Sequence, residues 1–399
     1  MNLNPFNWFR SQEVATSSQE FSELFAPRES TSGENITLSN AMKISTVFSC
    51  IRVLSETTGS LPIHLYEYNS KNNKKSKAYT HNLYDILNLE PNKDMTSVTF
   101  WEVCIAHLCL NGNFYAQIIK SRAGKILELV PLLATNVTKY RLEDDSIIFT
   151  YNNGKHTYEF KQDEIFEVIG FSKDGWSGMS PIEYQRDSLG LSKSAENYGS
   201  RFFKNNATPP IAVKIPQTLN DEQYKRLKKS WQKAHSGENA HKVALLEGGA
   251  DITSIGLSNS DSQFLETRQF QKSEICGMYR VPPHLVADLS KSSFNNISEQ
   301  SQELVKYTLQ PYINRIEKSI KKQLLSKEER KKYYAKFNVD GLLRGDIQSR
   351  FNAYNIGRNM GVYSANEIRE KEDMNPIKDG DTYLVPLNMT EQKDNNEAE

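Results

Sequence analysis

The chain has 399 residues, 25% of them charged, with 49 Lys and Arg exactly offset by 49 Asp and Glu, so its formal net charge is zero. That length suits two to three domains, and no apolar run approaches the roughly eighteen residues that span a bilayer. Zero net charge speaks against a protein that grips nucleic acid by neutralising many phosphates, because such proteins are basic. In chain order, the start MNLNPFNWFRS has neither a basic n-region nor an apolar h-region, so it is no secretory signal. Residues 1–38 are rich in Ser, Glu and Thr without a period and read as a disordered arm. Ala41, Ile44, Val47, Ile51 and Leu54 form a helical stripe, with Gly59 as its C-terminal stop and Pro62 beyond. Residues 63–68 alternate like a strand. A short helix follows near Leu83. Thr96 caps another helix, whose stripe is Phe100, Val103, Cys104, His107 and Leu108.

From Phe114 to Val168 the pattern is β, in six runs: FYAQIIK, KILEL, VTKY, IIFTY, HTYEF and IFEVI. Asn153-Gly154 marks a hairpin between the fourth and fifth. Ser180-Pro181-Ile182-Glu183 then supplies a capping hydroxyl, a proline at the first helical position and a glutamate two residues on. The helix runs to Asn205, on a thin stripe of Ile182, Leu189, Tyr198 and Phe202. A long, mostly polar helix either crosses solvent or packs against copies of itself.

Thr208-Pro209-Pro210 ends that helix and opens a compact insert. It reads as strand 211–215, helix 219–235, strand 243–246, Gly248-Gly249 and strand 252–257. Its helix opens on Thr218 with Asp221 in the first turn. Tyr224, Leu227, Trp231 and Ala234 form its expected buried face, and Lys225, Lys228, Lys229 and Lys233 the other. A second polar helix starts near Ser260 and is stopped by Pro282 and Pro283. The polar run Ser290, Lys291, Ser292, Ser293, Phe294 and Asn295 follows. A last long helix restarts on Asn296 with Glu299 in capping-box position. Val305, Leu309, Ile313, Ile316, Ile320 and Leu324 share one face of it. Pro311 lies within that helix and should kink it, at a cost of about 3 kcal/mol. A basic stretch, SKEERKKYYAK, leads to a helix from Asp346 and a final one capped by Ser364 with Glu367. Residues 388–399 read as a disordered tail.

Catalytic signatures are absent. No GxxxxGK[ST] string exists to hold nucleotide phosphates. Residues 175–179, GWSGM, approach the GxSxG elbow but end in methionine, and serve better as a loop leading to the helix cap. HExxH is missing, and Asp144-Asp145 lies in a turn. The four cysteines, Cys50, Cys104, Cys109 and Cys276, show no CxxC spacing and read as buried free thiols. His107 one turn after Cys104 makes a pair without further ligands. The expectation is no catalytic residue, no metal and no cofactor. The lysine face is a solvated surface or a docking surface. Phe294 either packs on its own loop or points into a channel.

VPPHL (from Val281), NNISEQ (from Asn295) and TLQP (from Thr308) resemble the portal protein family of tailed bacteriophages, of the siphophage head-tail connector type. EPNKDMT (from Glu90), LNGNFY (from Leu110), GWSGMSPIE (from Gly175) and GVYSANEIRE (from Gly361) match the family pattern in the same order. The resemblance implies an α+β portal fold assembled as a ring. Residues 39–179 are then a wing, 180–208 a stem helix, 209–258 an α/β clip and 259–281 a second stem helix. Residues 282–296 would be the tunnel loop, 297–336 the kinked wing helix and basic stretch, and 337–387 a short helical crown. The implied function is a non-enzymatic channel at one capsid vertex for DNA packaging and viral genome ejection. It would reside in the virion after assembly in the host bacterial cytoplasm. The implied partners are further copies of the chain as a dodecamer, double-stranded DNA without sequence specificity and the terminase large subunit. The head-tail adaptor protein and the major capsid and scaffold proteins complete the set, with no membrane. Ser290–Asn295 would face the channel, and Lys225, Lys228, Lys229 and Lys233 would face terminase and adaptor. The alternative is a nucleic-acid-processing or head-maturation enzyme with an unrecognised site.

Overall fold

The computed structural model describes residues 30–69, 74–204, 211–214, 220–234, 251–254, 260–288, 302–339, 342, 347–372 and 374–384. The packed chain starts earlier than composition suggests. Residues 30–38 were expected in a disordered arm, yet they lie along the first long helix. Thr31 N donates to Asp187 Oδ1 (2.9 Å), and Asn197 Nδ2 to Glu34 Oε1 (2.7 Å). Ile36 is buried, and Thr37 caps α1 (Leu38–Ala41).

Helix α2 (Ser45–Gly59) completes the first stripe, and Ala41, Ile44, Val47, Ile51 and Leu54 are all buried. Gly59 ends it for another reason than the one expected. A Cβ there would lie 2.6 Å from Glu102 Cγ and 2.9 Å from Val98 O. The glycine is what lets α2 press against the later helix that carries Val98 and Glu102, and α2 ends without a left-handed residue.

Strand β1 (Ile63–Asn69) is the centre of a sheet with β2 (Lys74–Lys77) on one side. On its other side lies β11 (Tyr333–Phe337), antiparallel, with Ile63 opposite Phe337 and Leu65 opposite Ala335. The basic stretch after the last long helix is therefore partly a strand, with Ala335 and Phe337 buried between solvated lysines. Its charge hides a period-two apolar pattern.

Helix α3 (Asn82–Asn88) and α4 (Ser97–Asn111, capped by Thr96 Oγ1) cover the second sheet. That sheet has β3 (Asn113–Lys120) between β4 (Ile126–Leu132) and β8 (Ile165–Ile169). A third sheet runs β5 (Val137–Arg141), β6 (Ile147–Asn152) and β7 (Thr157–Lys161) in simple antiparallel order. Side-chain alternation on β3 serves both cores: Phe114 and Ala116 join the main core, and Tyr115 packs with Leu132, Phe149 and Ile165 towards the third sheet. The β6–β7 hairpin forms where Asn153-Gly154 places it. Its loop has four residues, and only Gly154 is left-handed, because Asn153 Oδ1 accepts from Lys155 N and His156 N.

The helix opened by Ser180 is interrupted at once. It divides at Gln185 into α5 (Pro181–Tyr184) and α6 (Arg186–Lys204). Ile182 and Leu189 of its stripe are buried, whereas Tyr198, expected on the same face, is 52% exposed. In the insert, β9 (Ile211–Lys214) pairs antiparallel with β10 (Asp251–Ser254). Helix α7 (Asp221–Ala234) is capped by Asn220: its Oδ1 accepts from Gln223 N, and Gln223 Oε1 accepts from Asn220 N, while Thr218, the expected cap, lies outside the described residues. Tyr224, expected to be buried, is 58% exposed.

Helix α8 (Ser260–Tyr279) runs beside α6 and α2. The final long helix, described from Gln302, passes through a π-helical stretch at Leu304–Leu309 and continues as α9 (Gln310–Gln323). Its six-residue stripe from Val305 to Leu324 is buried throughout. Pro311 does fall in a disturbed helix, and the disturbance is a widened turn. Gln310 N bonds back to Val305 O, five residues earlier, so the ladder has already shifted where the proline's missing N–H would leave a gap. The expected restart at Asn296 and the Glu299 capping position lie outside the described residues. Helix α10 (Ile347–Asn359) and α11 (Ala365–Lys371) are the last described helices, the latter with the reciprocal Ser364–Glu367 box. Among the described residues no helix is long and apolar enough to cross a membrane.

Candidate functional site

Two of the singled-out motifs, LNGNFY and GWSGMSPIE, are far apart in sequence and interlock in space. Helix α4 ends on Gly112 in the left-handed conformation, and its carbonyl receives Gly170 N (2.8 Å). A Cβ on Gly112 would sit 2.5 Å from Met179 O, and one on Gly178 would sit 1.9 Å from Gly112 O. The two backbones touch because neither residue has a side chain. Asn113 locks the approach: its Oδ1 accepts from Gly178 N (2.7 Å), and its Nδ2 donates to Ser177 Oγ (3.2 Å) and Gly178 O (3.3 Å). Ser180 Oγ donates to Leu110 O (2.6 Å) and accepts from Glu183 N. The start of the first long helix is thus fixed to the end of α4. Arg315 of α9 joins by donating to Gly170 O (2.6 Å).

The serine of the near-elbow is consumed by this joint. The loop itself is wound around Asp174, whose Oδ1 accepts from Trp176 N and Ser177 N, and those bonds hold its carboxyl below the usual range. Trp176 lies over Lys139 Nζ, 4.3 Å from the ring centre. Lys139 pairs with Glu167 at 2.8 Å, and both side chains are nearly buried. Burial raises the Glu167 pKa, and the Lys139 charge opposes the rise without cancelling it. This pair ties the third sheet to the second and to the 172–179 loop.

The polar run Ser290, Lys291, Ser292, Ser293, Phe294 and Asn295 lies outside the described residues, but its two anchors are described. After α8 the chain turns through Arg280 (φ 55°) and the short 3-10 turn Pro283–Val286 to Ala287 (φ 60°). Asp288 is buried and accepts from Gln269 Nε2. On the far side, Thr308 Oγ1 donates to Arg280 O (2.6 Å). The segment between therefore departs from and returns to one fixed base. In the insert, Lys225 and Lys229 are exposed on α7, while the side chains of Lys228 and Lys233 lie outside the described residues. Asn113, Thr308 and Arg315 were not singled out from the sequence. Each acts on a partner tens to hundreds of residues away, and only the pairing of motifs could have hinted at Asn113.

The fold is a mixed α+β one whose long-helix start is locked to the end of α4, and comparison with known proteins identifies the family. The family model described as phage portal protein matches residues 45–373, so the chain belongs to the phage portal protein family. It is similar to the probable portal protein of Streptomyces phage phiC31, 33% identical over 375 residues, covering 90% of this chain and 81% of that one. The portal protein of Enterobacteria phage HK97 is 32% identical over 346 residues, covering 86% and 81%. Among solved structures, a chain from the virion of a native gene transfer agent particle aligns with TM-score 0.62, 23% identity and coverage of 88% and 95%. An HK97 family phage portal protein from Corynebacterium diphtheriae aligns with TM-score 0.55, 14% identity and coverage of 77% and 96%. The chain is accordingly a structural component of the phage virion and not an enzyme.

Proposed function

We propose that this chain forms a closed ring of twelve at one capsid vertex, whose channel passes double-stranded DNA during packaging and ejection. The observation that carries the reading is the exposed apolar surface on the two long helices. Leu191 and Tyr198 lie two turns apart on one face of α6 at 55% and 52% exposure, and Phe270 on α8 is 68% exposed. Exposed apolar side chains on long, mostly polar helices suit packing against further copies of the chain. A heterologous contact that closes on itself makes a ring and avoids a filament. A related gene transfer agent neck was computed with C12 symmetry, and its chain aligns here with TM-score 0.61.

In this reading α6 and α8 are stem helices, residues 209–258 the clip, residues 282–296 the tunnel loop and residues 337–387 the crown. The clip, led by Lys225, Lys228, Lys229 and Lys233, meets the terminase large subunit and then the head-tail adaptor. Major capsid and scaffold proteins surround the ring. Phosphate contacts in the channel position DNA without reading its sequence. The test is the native mass of the purified protein without DNA or nucleotide. Twelve copies of 45.6 kDa give about 550 kDa with closed symmetry. A stable monomer at micromolar concentration overturns the proposal.

A further inference from the structure

A small cavity lies where α2, α6 and α8 meet. Ile44, Ser45 and Thr46 line it from the start of α2, Ser192 and Glu196 from α6, and Arg268, Gln271 and Lys272 from α8. Its volume of about 20 Å³ exceeds the roughly 10–15 Å³ that one buried water needs. It suits a small polyatomic ion and is too small for a nucleotide.

Its walls are rich in hydrogen-bond donors that nothing uses. Helix α2 is fifteen residues long, its N-cap is Ile44, and no side chain caps it. The amides of Ser45, Thr46 and Val47 have no acceptor among the described residues, which leaves the positive end of the helix open. Gln271 is 96% buried, from its 4% exposure, and its Nε2 has no hydrogen-bond partner. Such an orphan is costly unless something accepts from it. Arg268 and Lys272, one turn apart on α8, are half-buried and take part in no ion pair among the described residues. One carboxylate, Glu196, also lines the cavity, and Lys193 Nζ holds it at 2.9 Å. Two cations and several neutral donors remain in excess.

We propose that this cavity binds a small inorganic oxyanion of the phosphate or sulfate kind. The ion accepts from the α2 amides, from Gln271 Nε2 and from the charged groups of Arg268 and Lys272. It thereby clamps α2 to both long helices, α6 and α8. The inference rests on local chemistry and holds whether or not the ring reading does.

The test uses the full chain and inorganic phosphate, titrated at constant ionic strength against sodium chloride. Wild type should show a saturable rise in Tm and, by calorimetry, one phosphate per chain. Arg268→Gln with Lys272→Gln should abolish both, and Gln271→Leu should raise the phosphate Kd on the order of tenfold. Arg122→Gln, on the exposed β3–β4 turn, should change neither. If the double variant does not fold, Lys272→Gln alone carries the calorimetric test, because its side chain is half-exposed. A phosphate effect matched by chloride, or one that survives these substitutions, overturns the proposal. So does an assembled structure in which a neighbouring copy's carboxylate fills the cavity.

Discussion

Asn113 shows how much one polar side chain can fix. It satisfies the amide and carbonyl of Gly178 and the hydroxyl of Ser177 from a nearly buried position. Asn113→Ala should cost about 1–3 kcal/mol, the penalty for orphaning buried polar groups. Urea unfolding would measure it, and a shift indistinguishable from wild type would deny the joint its role. Glu317 offers a pH test. Burial raises its pKa first of all, while the bond from Phe337 N and the charges of Lys336 and Lys318 pull it partly back. A carboxyl with a raised folded pKa contributes stability below its unfolded pKa and loses it as pH rises through the folded value. Glu317→Gln keeps an acceptor for Phe337 N without the buried charge. It should therefore stabilise the protein at neutral pH, with the gain vanishing on acidification below the unfolded carboxylate range. A gain that persists in acid contradicts that assignment. At this scale the sequence reveals local partners well. Thr96, Ser180 and Ser364 are legible as caps because donor and acceptor are three residues apart. Asn113 is not, because its partners lie 64 and 65 residues away.

Among elements, amphipathic stripes and turn residues placed the helices and the six central strands. Failures came where a neighbouring element decides. The pairing of β11 with β1 answers to a partner remote in sequence, while the break at Gln185 and the widened turn before Pro311 change helix geometry in ways an apolar stripe does not register. Tyr198 and Tyr224 are exposed although their stripes mark apolar faces. An apolar stripe says that a face will be covered, not that the same chain covers it. Helix α7 carries a prediction of its own. Lys225→Glu with Lys229→Glu should slow association with terminase and adaptor while leaving rings intact, since charges at a rim act mainly on the on-rate. Surface plasmon resonance with purified rings would show it. Unchanged association would make the lysines solvated surface only.

For the whole molecule, the base formed by Arg280 and Thr308 gives the loop hypothesis a physical test. Deleting Ser290–Asn295 should leave rings of unchanged mass and impair DNA packaging or retention. Monomers accumulating instead would show the segment to be part of the core. Within that segment, Lys291 should make weak, salt-sensitive phosphate contacts, each small and repeated around the ring.

The sequence by itself determined the α+β class, most element positions, the caps at Thr96, Ser180 and Ser364, and the family, because these depend on short-range periodicity and on motifs kept in order. Tertiary structure alone decided that the two glycine motifs interlock, that a basic stretch supplies a core strand, and that residues 30–38 belong to the packed body. Those outcomes depend on contacts between residues remote in sequence, whose energy appears only once both partners are in place.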